Sequence, residues 1–409
     1  MANLLDQASI ILTPTAYDVS KVLCVKPSEA PYGDFDFSRS TTATRINSNG
    51  EIETVANNIP RINYENGCGS WLFEPQRTNL LSYSNAFLFP AWTNNGVTVT
   101  SNQTISPDGT LNADLLTGNS GGFGVVRFST WTATNKVASC FAKSGSSSIF
   151  KIANVSGVNR YVLFDLSNGT VSEESAGWNG SIENYGNGWY RCTAISNSET
   201  GTFSLGVTAA SESIYIYGAQ LEAGYATSYI PTTSTTVTRN QDVCSNGGSA
   251  ALINSTQGVL YIEVKALSND LSERRFGISD GTSSNVVRVG YTNASNRIIA
   301  VIYNGSNQAV MTYTSPDITQ NSKIAVKYKE NDFALWVDGV ERSTDASGSV
   351  FTANTLNSVD FNIGGGSHFY SDTKAVAVWK TVLTDLELEK LTSWTSFASM
   401  AQSQNYTIQ

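Results

Sequence analysis

Short runs of alternating apolar and polar residues, separated by turn residues, follow one another along most of the chain. Between residues 82 and 232 these runs recur about every ten residues, with Gly, Asn and Ser between them, and they resume from residue 258 onward. A period of two residues is that of a half-buried strand, and short runs at regular spacing are typical of β-sandwiches. The sequence therefore predicts an all-β fold that contains two β-sandwich (jelly-roll) domains.

Each predicted sandwich has its own set of strands. In the first, the predicted strands are 97–100, 113–116, 125–128, 137–142, 150–155, 161–165, 189–195, 203–207 and 214–220. In the second, they are 258–266, 276–279, 286–291, 297–303, 309–313, 323–329, 333–337, 359–364 and 375–379. Asp338 and Gly339 predict a tight hairpin turn, and Thr384 with Glu387 predicts a capping box at the start of a short C-terminal helix.

Changes in composition along the chain predict six segments. They are an N-terminal arm (1–34), a polar connector (35–81), the first sandwich (82–232), a Thr-, Ser- and Gly-rich linker (233–249), the second sandwich (250–396) and a polar, peripheral tail (397–409). The arm holds two apolar runs, Ala8–Leu12 and 19–25, each as long as one strand. Two isolated strands are marginal alone. The arm therefore either pairs with other copies or a docking partner, or packs as a hairpin on its own chain.

The connector is rich in Arg, Asn, Thr and Pro. Residues 47–50 (Asn-Ser-Asn-Gly) are a turn signal, and the alternation that resumes at residue 51 predicts a hairpin. Carboxylates surround the four arginines of this segment, which are Arg39, Arg45, Arg61 and Arg77. These arginines either clamp the connector, within or between chains, or form ordinary surface pairs worth about 0–1 kcal/mol. A segment with little apolar content needs polar contacts to stay ordered, which favours clamps.

Composition narrows the classes of function. The chain has 409 residues, enough for two or three domains, and only 14% of them are charged. A net charge of −9 argues against the basic face needed to bind a phosphate backbone, so no nucleic-acid partner is predicted. No stretch reaches the roughly 20 apolar residues of a membrane span, so no membrane insertion is predicted.

The five cysteines lack a CxxC pair, which argues against a zinc site or a disulfide scaffold. The first residues lack the basic region of a signal peptide, which predicts a cytoplasmic site of synthesis.

Three stretches make the sequence recognisable. They are SRSTTATRINSNGEIETVANNIPRINY at 38–64, LFEPQRTNLL at 72–81 and YIYGAQLEAGYATSYIPTTSTTVTRNQDVC at 215–244. Together they resemble a module of structural proteins from tailed bacteriophages, over about residues 1–245. The resemblance implies a head-fibre, tail-fibre or decoration protein, made in the host cytoplasm and exposed on the surface of the virion. It implies capsid or tail proteins as partners of the N-terminal arm. A homotrimer is also expected, because multivalent display strengthens weak sugar binding.

The first sandwich resembles jelly-roll carbohydrate-binding modules, in which exposed aromatic rings stack on sugars. The resemblance implies four candidate glycan-binding rings, with burial in the core as the alternative reading, at Trp92, Trp131, Trp178 and Tyr185. Trp178 follows a glycine and precedes Asn-Gly, in a predicted loop, so it is the best exposed candidate. Trp189 lies in the middle of a predicted strand and is assigned to the core.

Residues 256–396, with the WVDG hairpin and a strand-to-helix ending, resemble concanavalin A-like lectin (laminin-G-like) domains. Calcium is possible by this resemblance, but no compact acidic run marks a calcium loop, so no metal or cofactor is predicted. The single histidine, His368, leaves little room for Ser-His-Asp chemistry, no catalytic residue is assigned, and an enzyme is not predicted. We expect a virion protein that adheres to host or environmental glycans. The alternative is a polysaccharide-degrading depolymerase, because glycosidases need only two carboxylates.

Overall fold

The computed structural model of the chain is built almost entirely of β-strands, which confirms the predicted all-β class. It describes residues 3–30, 32–119, 136–154, 160–196 and 201–404, and the backbone alone of 125–131. Contacts divide the chain into two compact units. Unit 1 comprises Met1–Ser40, Ala56–Pro75 and Gln241–Gln409, and unit 2 comprises Thr41–Val55 and Gln76–Asn240. The unit boundaries differ from the segment boundaries predicted after residues 34 and 81, because the predicted connector is divided between the two units.

The strands and helices of the described residues are as follows. The strands before residue 80 are β1 (Ala8–Leu12), β2 (Tyr17–Asp18), β3 (Lys21–Val22), β4 (Phe35–Ser38), β5 (Ala43–Ile46), β6 (Ile52–Val55), β7 (Ile62–Glu65), β8 (Cys68–Phe73) and β9 (Arg77–Asn79). The next are β10 (Trp92–Asn95), β11 (Val97–Ile105), β12 (Leu111–Gly118), β13 (Val125–Trp131), β14 (Lys136–Ser144), β15 (Ile149–Asn154), β16 (Arg160–Asp165), β17 (Thr170–Glu174), β18 (Trp178–Asn184), β19 (Trp189–Ser196), β20 (Gly201–Gly206) and β21 (Ser213–Ala223). The last are β22 (Val237–Arg239), β23 (Val243–Ser245), β24 (Gln257–Ala266), β25 (Arg274–Ser279), β26 (Asn285–Tyr291), β27 (Arg297–Asn304), β28 (Asn307–Thr314), β29 (Ser322–Lys329), β30 (Phe333–Val337), β31 (Val340–Asp345), β32 (Ser358–Asp360) and β33 (Ser371–Trp379). The helices are α1 (Leu4–Gln7), α2 (Asp385–Ser393) and α3 (Phe397–Ser403), with a 3-10 turn at Ile363–Gly365.

Unit 1 contains a four-stranded sheet of order β2-β3-β4-β23, and its main body is a sandwich of two antiparallel sheets. The larger has the strand order β31-β30-β29-β24-β33-β8-β7, with β1 also paired to β33, and the smaller has the order β28-β27-β26-β25-β32. Leu260 and Ile262 of the larger sheet share a buried cluster with Ile278 and Val287 of the smaller one. Asp338 and Gly339 both have positive φ between β30 and β31, as the predicted hairpin turn requires.

The outer face of the larger sheet is covered by the three helices. Val259 and Tyr261 alternate with the inward residues of β24 and form a second buried cluster with residues of α1, α2 and α3. Burial on both faces explains why β24 reads as a nearly continuous apolar run. The predicted capping box is present, since the Thr384 side chain accepts from the Glu387 backbone and the Glu387 side chain accepts from the Thr384 backbone.

The last described residues are not a peripheral tail, so that prediction is wrong. Residues 397–403 form α3, in which Phe397, Met400 and Ala401 are buried against the sheet. These positions have the i, i+3, i+4 spacing of an apolar helix face, which the polar composition of the segment hides. The Glu263 carboxylate accepts a hydrogen bond of 2.7 Å from the Phe397 backbone N–H and anchors the start of this helix.

The predicted N-terminal arm is folded into unit 1. Strand β1 pairs antiparallel with β33, so that Leu12 lies opposite Val376, and Leu5, Ile10 and Leu12 are fully buried. The Trp379 indole donates a hydrogen bond of 2.8 Å to the Leu4 carbonyl. The run Ala8–Leu12 therefore finds its partner strand on its own chain. An antiparallel bridge between Ile11 and Lys26 also joins β1 to the end of the second apolar run, which agrees with the reading that the arm packs on its own chain.

The connector and the linker are likewise parts of the two units. Strands β5 and β6 form the predicted hairpin in unit 2, and β7 and β8 extend the larger sheet of unit 1. Within the linker, β22 pairs with β9 and β23 pairs with β4, while Arg239 and Cys244 are buried. Residues 233–249 were predicted as a linker, and in the structure they contribute one short strand to each unit.

Unit 2 is a second sandwich of two six-stranded antiparallel sheets. The β13 sheet has the order β10-β13-β20-β15-β16-β17, and the β21 sheet has the order β11-β12-β21-β14-β19-β18. Phe150 and Val162 of the first pack in one buried cluster with Leu116 and Cys140 of the second. The other face of the β21 sheet carries a smaller aromatic cluster, to which Ile52 of the β5–β6 hairpin belongs. That face holds the cavity described next. No helix among the described residues has the length and apolarity needed to cross a bilayer.

Candidate functional site

Three turns of unit 2 enclose a cavity of about 300 Å³, which we call the turn cavity. They are the β5–β6 turn, the β11–β12 loop and the β18–β19 turn, joined by the end of β14. The side chains and backbone that line the cavity are Gly50, Glu51, Thr104, Ile105, Ser106, Pro107, Gly109, Lys143, Tyr185, Gly186, Asn187 and Trp189. The volume is at the lower end of small-molecule sites, roughly 300–1,000 Å³, so it suits one sugar unit rather than a long chain.

Aromatic side chains fix the inner wall of the turn cavity. The Trp189 ring is 2% exposed, and its indole N–H donates a hydrogen bond of 3.0 Å to the Ile105 carbonyl. The half-buried Tyr185 ring makes an edge contact with Phe141, with a centroid distance of 4.9 Å. The Tyr185 N–H donates to the Trp189 carbonyl at 2.9 Å. The turn between them, at Asn187 and Gly188, therefore holds both rings in place.

The β11–β12 loop is held in one shape by Asp108. Its carboxylate accepts hydrogen bonds from the Ser106 hydroxyl at 2.7 Å, the Thr110 hydroxyl at 2.6 Å and the Tyr217 hydroxyl at 2.8 Å. Burial alone would raise the pKa of Asp108, but these hydrogen bonds keep it below its ordinary value. The Ile52 N–H donates to the Pro107 carbonyl at 2.8 Å, which ties the β5–β6 hairpin to the same loop.

Glu51 and Lys143, which carry opposite charges, line the turn cavity, and each lies next to a glycine. A Cβ atom at Gly109 would lie 2.8 Å from Oε1 of Glu51, and one at Gly188 would lie 3.4 Å from Cε of Lys143. Both glycines have positive φ, +78° and +79°. Any other residue at these turns would be strained by the positive φ, and one at Gly109 would also crowd the Glu51 carboxylate. The site thus combines an acceptor, a donor and aromatic surface in one cavity.

The structure separates the four predicted glycan-binding rings. Trp92 and Trp178 are 4% and 3% exposed in the sandwich core, so the prediction that Trp178 is exposed is wrong. Trp178 is the first residue of β18, and it points inward with Ile182, as alternate residues of a strand do. The Trp131 side chain lies outside the described residues. Tyr185 is the predicted ring that lies at the turn cavity, and Trp189 is buried as predicted, although beneath that cavity.

Two of the four connector arginines form a buried ion cluster in unit 1. Arg39 and Arg61 are 1% and 0% exposed, and both pair with the Asp242 carboxylate, Arg39 at 2.9 Å. Arg61 also pairs with Glu74 at 2.7 Å. Burial would lower the pKa of Arg61, but Asp242 and Glu74 hold it above its ordinary value. We call Arg39, Arg61, Glu74 and Asp242 the Asp242 cluster.

The other two connector arginines lie in unit 2. Arg45 pairs with Glu53 at 3.0 Å across the β5–β6 hairpin, where the Glu53 side chain is 44% exposed. The Arg77 guanidinium lies over the Tyr225 ring, 4.7 Å from its centroid. All four arginines thus make contacts that fix local geometry within the chain, and the strength of these contacts differs with burial.

His368 lies in unit 1 and belongs to a packing arrangement. Its ring is parallel to Tyr370 at a centroid distance of 5.5 Å, and Nε2 lies 3.5 Å from the Gln241 amide nitrogen. Burial lowers the pKa of His368. Within the part of the chain that the structure describes, no group of three or more His, Cys, Asp or Glu residues is placed to hold a metal ion.

Sequence reasoning missed Glu51, Lys143 and the β11–β12 loop as parts of a site. The turn signals at 47–50, 107–109 and 187–188 are visible in the sequence, but each on its own indicates only a turn. What brings them together is the pairing of β14 with β19 and the docking of the β5–β6 hairpin, which are contacts between residues far apart in sequence.

Comparisons with known proteins place the chain beside β-sandwich structures at low similarity. No protein-family model and no curated protein matches it. Among solved structures, a sialidase CBM40 from Ruminococcus gnavus bound to α2,3-sialyllactose is 17% identical, with 36% of this chain and 93% of that chain covered and a TM-score of 0.30. A carbohydrate-binding protein, described as putative, from Bacteroides ovatus is 13% identical, with 66% and 78% covered and a TM-score of 0.28. Mouse laminin α1 domains LG4-5 are 10% identical, with 64% and 85% covered and a TM-score of 0.23. Values this low identify neither a family nor a function.

Proposed function

We propose that this chain is a glycan-binding protein that holds one sugar unit in the turn cavity. The observation that carries the proposal is a cavity of about 300 Å³ in which the Tyr185 ring lies beside Glu51 and Lys143. Aromatic surface with a few convergent polar groups is the usual make-up of a small-molecule site. A sugar ring offers the matching surfaces, since it has an apolar face and a rim of hydroxyl groups.

The test is glycan binding by the purified chain, first on a glycan array and then by calorimetric titration. Tyr185→Ala and Lys143→Ala are each expected to weaken binding about tenfold or more, by loss of ring contact or of one charged hydrogen bond. Tyr161→Ala is the matched control, since Tyr161 lies on β16 and contacts Glu173 at 2.7 Å, away from the cavity. Circular dichroism checks that each variant is folded. A chain that binds no glycan, or variants that bind as well as the wild type, would contradict the proposal.

We further propose that the setting of this binding is the surface of a tailed-bacteriophage virion, as a fibre or decoration protein that adheres to host or environmental glycans. The support is the resemblance of residues 38–64, 72–81 and 215–244 to phage structural proteins. Capsid or tail proteins would be its partners, and a homotrimer its form. Microscopy of intact particles with an antibody against this chain tests the location, and particles without label would contradict it. Oligosaccharide released from host capsule by the purified chain would instead support a depolymerase.

A further inference from the structure

One exposed aliphatic residue lines the turn cavity, and a second lies opposite it on the neighbouring strand. Ile105 and Leu111 are 59% and 63% exposed, and they lie opposite each other in the β11–β12 pair. Side chains directly opposite in an antiparallel pair are neighbours on one face of the sheet. Ile105 also lines the cavity. Single exposed aliphatic residues need no explanation, but two side by side at the rim of a polar cavity form an apolar surface that a ligand can cover.

The polar groups beside that surface have fixed and complementary roles. An ionised Glu51 only accepts hydrogen bonds, and the Lys143 ammonium only donates them. The β5–β6 turn holds the Glu51 backbone, since the Glu51 N–H donates to the Asn47 side-chain oxygen at 3.0 Å. Glu51 and Lys143 cancel in charge, and the nearby Asp108 carboxylate is occupied by hydroxyl donors. A ligand with a negative charge would meet the Glu51 carboxylate, so a neutral ligand fits better.

An acetamido group matches these three features together. Its methyl group is apolar, its N–H is a donor for Glu51, and its carbonyl is an acceptor for Lys143. At the carbon that bears the acetamido group, a plain hexose carries a hydroxyl group instead. That hydroxyl group has no methyl group to cover Ile105 and Leu111. A free amino sugar carries a cation instead. This cation has the same charge as Lys143, and it has no methyl group to cover the aliphatic pair. The sugar ring itself remains for contact with Tyr185.

We propose that the sugar bound in the turn cavity is an N-acetylated amino sugar, recognised through its acetamido group by Glu51, Lys143 and the aliphatic pair Ile105 and Leu111. This inference rests on the proposed glycan-binding function and specifies its ligand class. It predicts that the preference for the acetyl group depends on residues distinct from Tyr185, whose ring contacts any pyranose.

The test compares three β-1,4-linked tetrasaccharides of N-acetylglucosamine, glucosamine and glucose, titrated calorimetrically into the full chain. We expect the N-acetylated tetramer to bind about tenfold or more tightly than the other two, the size of effect expected for one methyl contact and one amide hydrogen bond. The double variant Ile105→Ser, Leu111→Ser and the variant Glu51→Ala should each reduce that preference to near unity. Leu88→Ser is the control, since Leu88 is 56% exposed elsewhere in unit 2 and should leave the preference unchanged.

The outcomes separate the two proposals. Equal affinity for the glucose and N-acetylglucosamine tetramers would overturn the acetamido inference and leave glycan binding standing. Binding of other array glycans without any binding of the N-acetylated tetramer would do the same. An absence of binding to every glycan tested would overturn both. Retention of the preference in the Ile105, Leu111 double variant, folded by circular dichroism, would show that the aliphatic pair has no part in recognition.

Discussion

The Asp242 cluster is a buried group of four charged side chains in unit 1. Asp242 accepts from Arg39 and Arg61 and also from the Glu74 backbone N–H at 2.8 Å. Two guanidinium groups and two carboxylates thus neutralise each other in a buried volume. Such a cluster adds little net stability compared with apolar residues of the same shape, but losing one member leaves the others buried and uncompensated.

We predict that Arg61→Met lowers the free energy of unfolding by about 3–5 kcal/mol, because Glu74 would then be a buried carboxylate without its cation. Urea unfolding followed by tryptophan fluorescence measures this. Arg45→Met is the matched control, since its partner Glu53 is largely exposed and the pair is worth about 0–1 kcal/mol. Equal losses of unfolding free energy in the two variants would contradict the expectation that a buried arginine contributes more than an exposed one.

A second prediction at a single side chain concerns pH and unit 2. Asp114 is 3% exposed on β12, and burial raises its pKa from 3.8 to about 6. The folded chain therefore holds this proton more tightly than the unfolded chain between pH 4 and 6. It follows that Asp114 makes the chain more stable as pH falls through this window, by up to about 3 kcal/mol. The free energy of unfolding of the wild type minus that of Asp114→Asn should therefore become more positive by about 2–3 kcal/mol from pH 7 to pH 4. A difference independent of pH would contradict the raised pKa.

The strands show how much of the fold the sequence could predict. Every predicted strand of the first sandwich overlaps an observed one, since central strands bury one face and keep a clear alternation. Strands β10, β17 and β18 were missed. All three are edge strands with mostly exposed side chains, so their sequences, WTNN, TVSEE and WNGSIEN, lack the apolar signal of a buried face. Trp178 was assigned to a loop because a glycine precedes it and Asn-Gly follows it.

The docking of short elements was less predictable than their existence. The β5–β6 hairpin was predicted from its turn residues, yet its position over the aromatic cluster depends on Ile52 and on one backbone bond to Pro107. In the same way, Ala8–Leu12 was recognised as a strand, but its pairing with β33, more than 360 residues away, has no local signal. The turn cavity is built from such non-local contacts. Among the residues that line it, the sequence analysis named Tyr185 alone as a glycan-binding candidate.

Removal of residues 1–12 is predicted to destabilise unit 1. Leu5, Ile10 and Leu12 are each fully buried, and burial of one such side chain contributes about 1.5–3 kcal/mol. Their combined loss is comparable with the total stability of a typical domain, roughly 5–15 kcal/mol. Thermal unfolding should show a much lower midpoint or an insoluble chain. The exposed Val19, 62% accessible, provides the control, since Val19→Ala should have little effect. A truncated chain as stable as the full one would contradict this account and favour a detachable arm.

At the scale of the whole chain, the structure concerns the proposed binding site, and the phage resemblance concerns the proposed location of the protein. If the chain binds glycans as proposed, the turn cavity holds the sugar, and the resemblance supports only the proposed location on a virion. In that proposal one cavity of this size holds one sugar unit, and such contacts are individually weak. Adhesion to a glycan-coated surface therefore requires several copies of the site acting together.

We accordingly predict that the full chain is a homotrimer in solution. Linking three weak sites raises the effective affinity for a repetitive glycan by about 10²–10⁴ without any new contact, provided the sites engage together. Size-exclusion chromatography with light scattering should give three times the mass of one chain. A glycan-coated surface should retain the trimer far longer than it retains a Lys143→Ala variant, which should keep the same mass. A single-chain mass at high protein concentration would refute the trimer, and equal retention of wild type and variant would show that adhesion does not depend on the turn cavity.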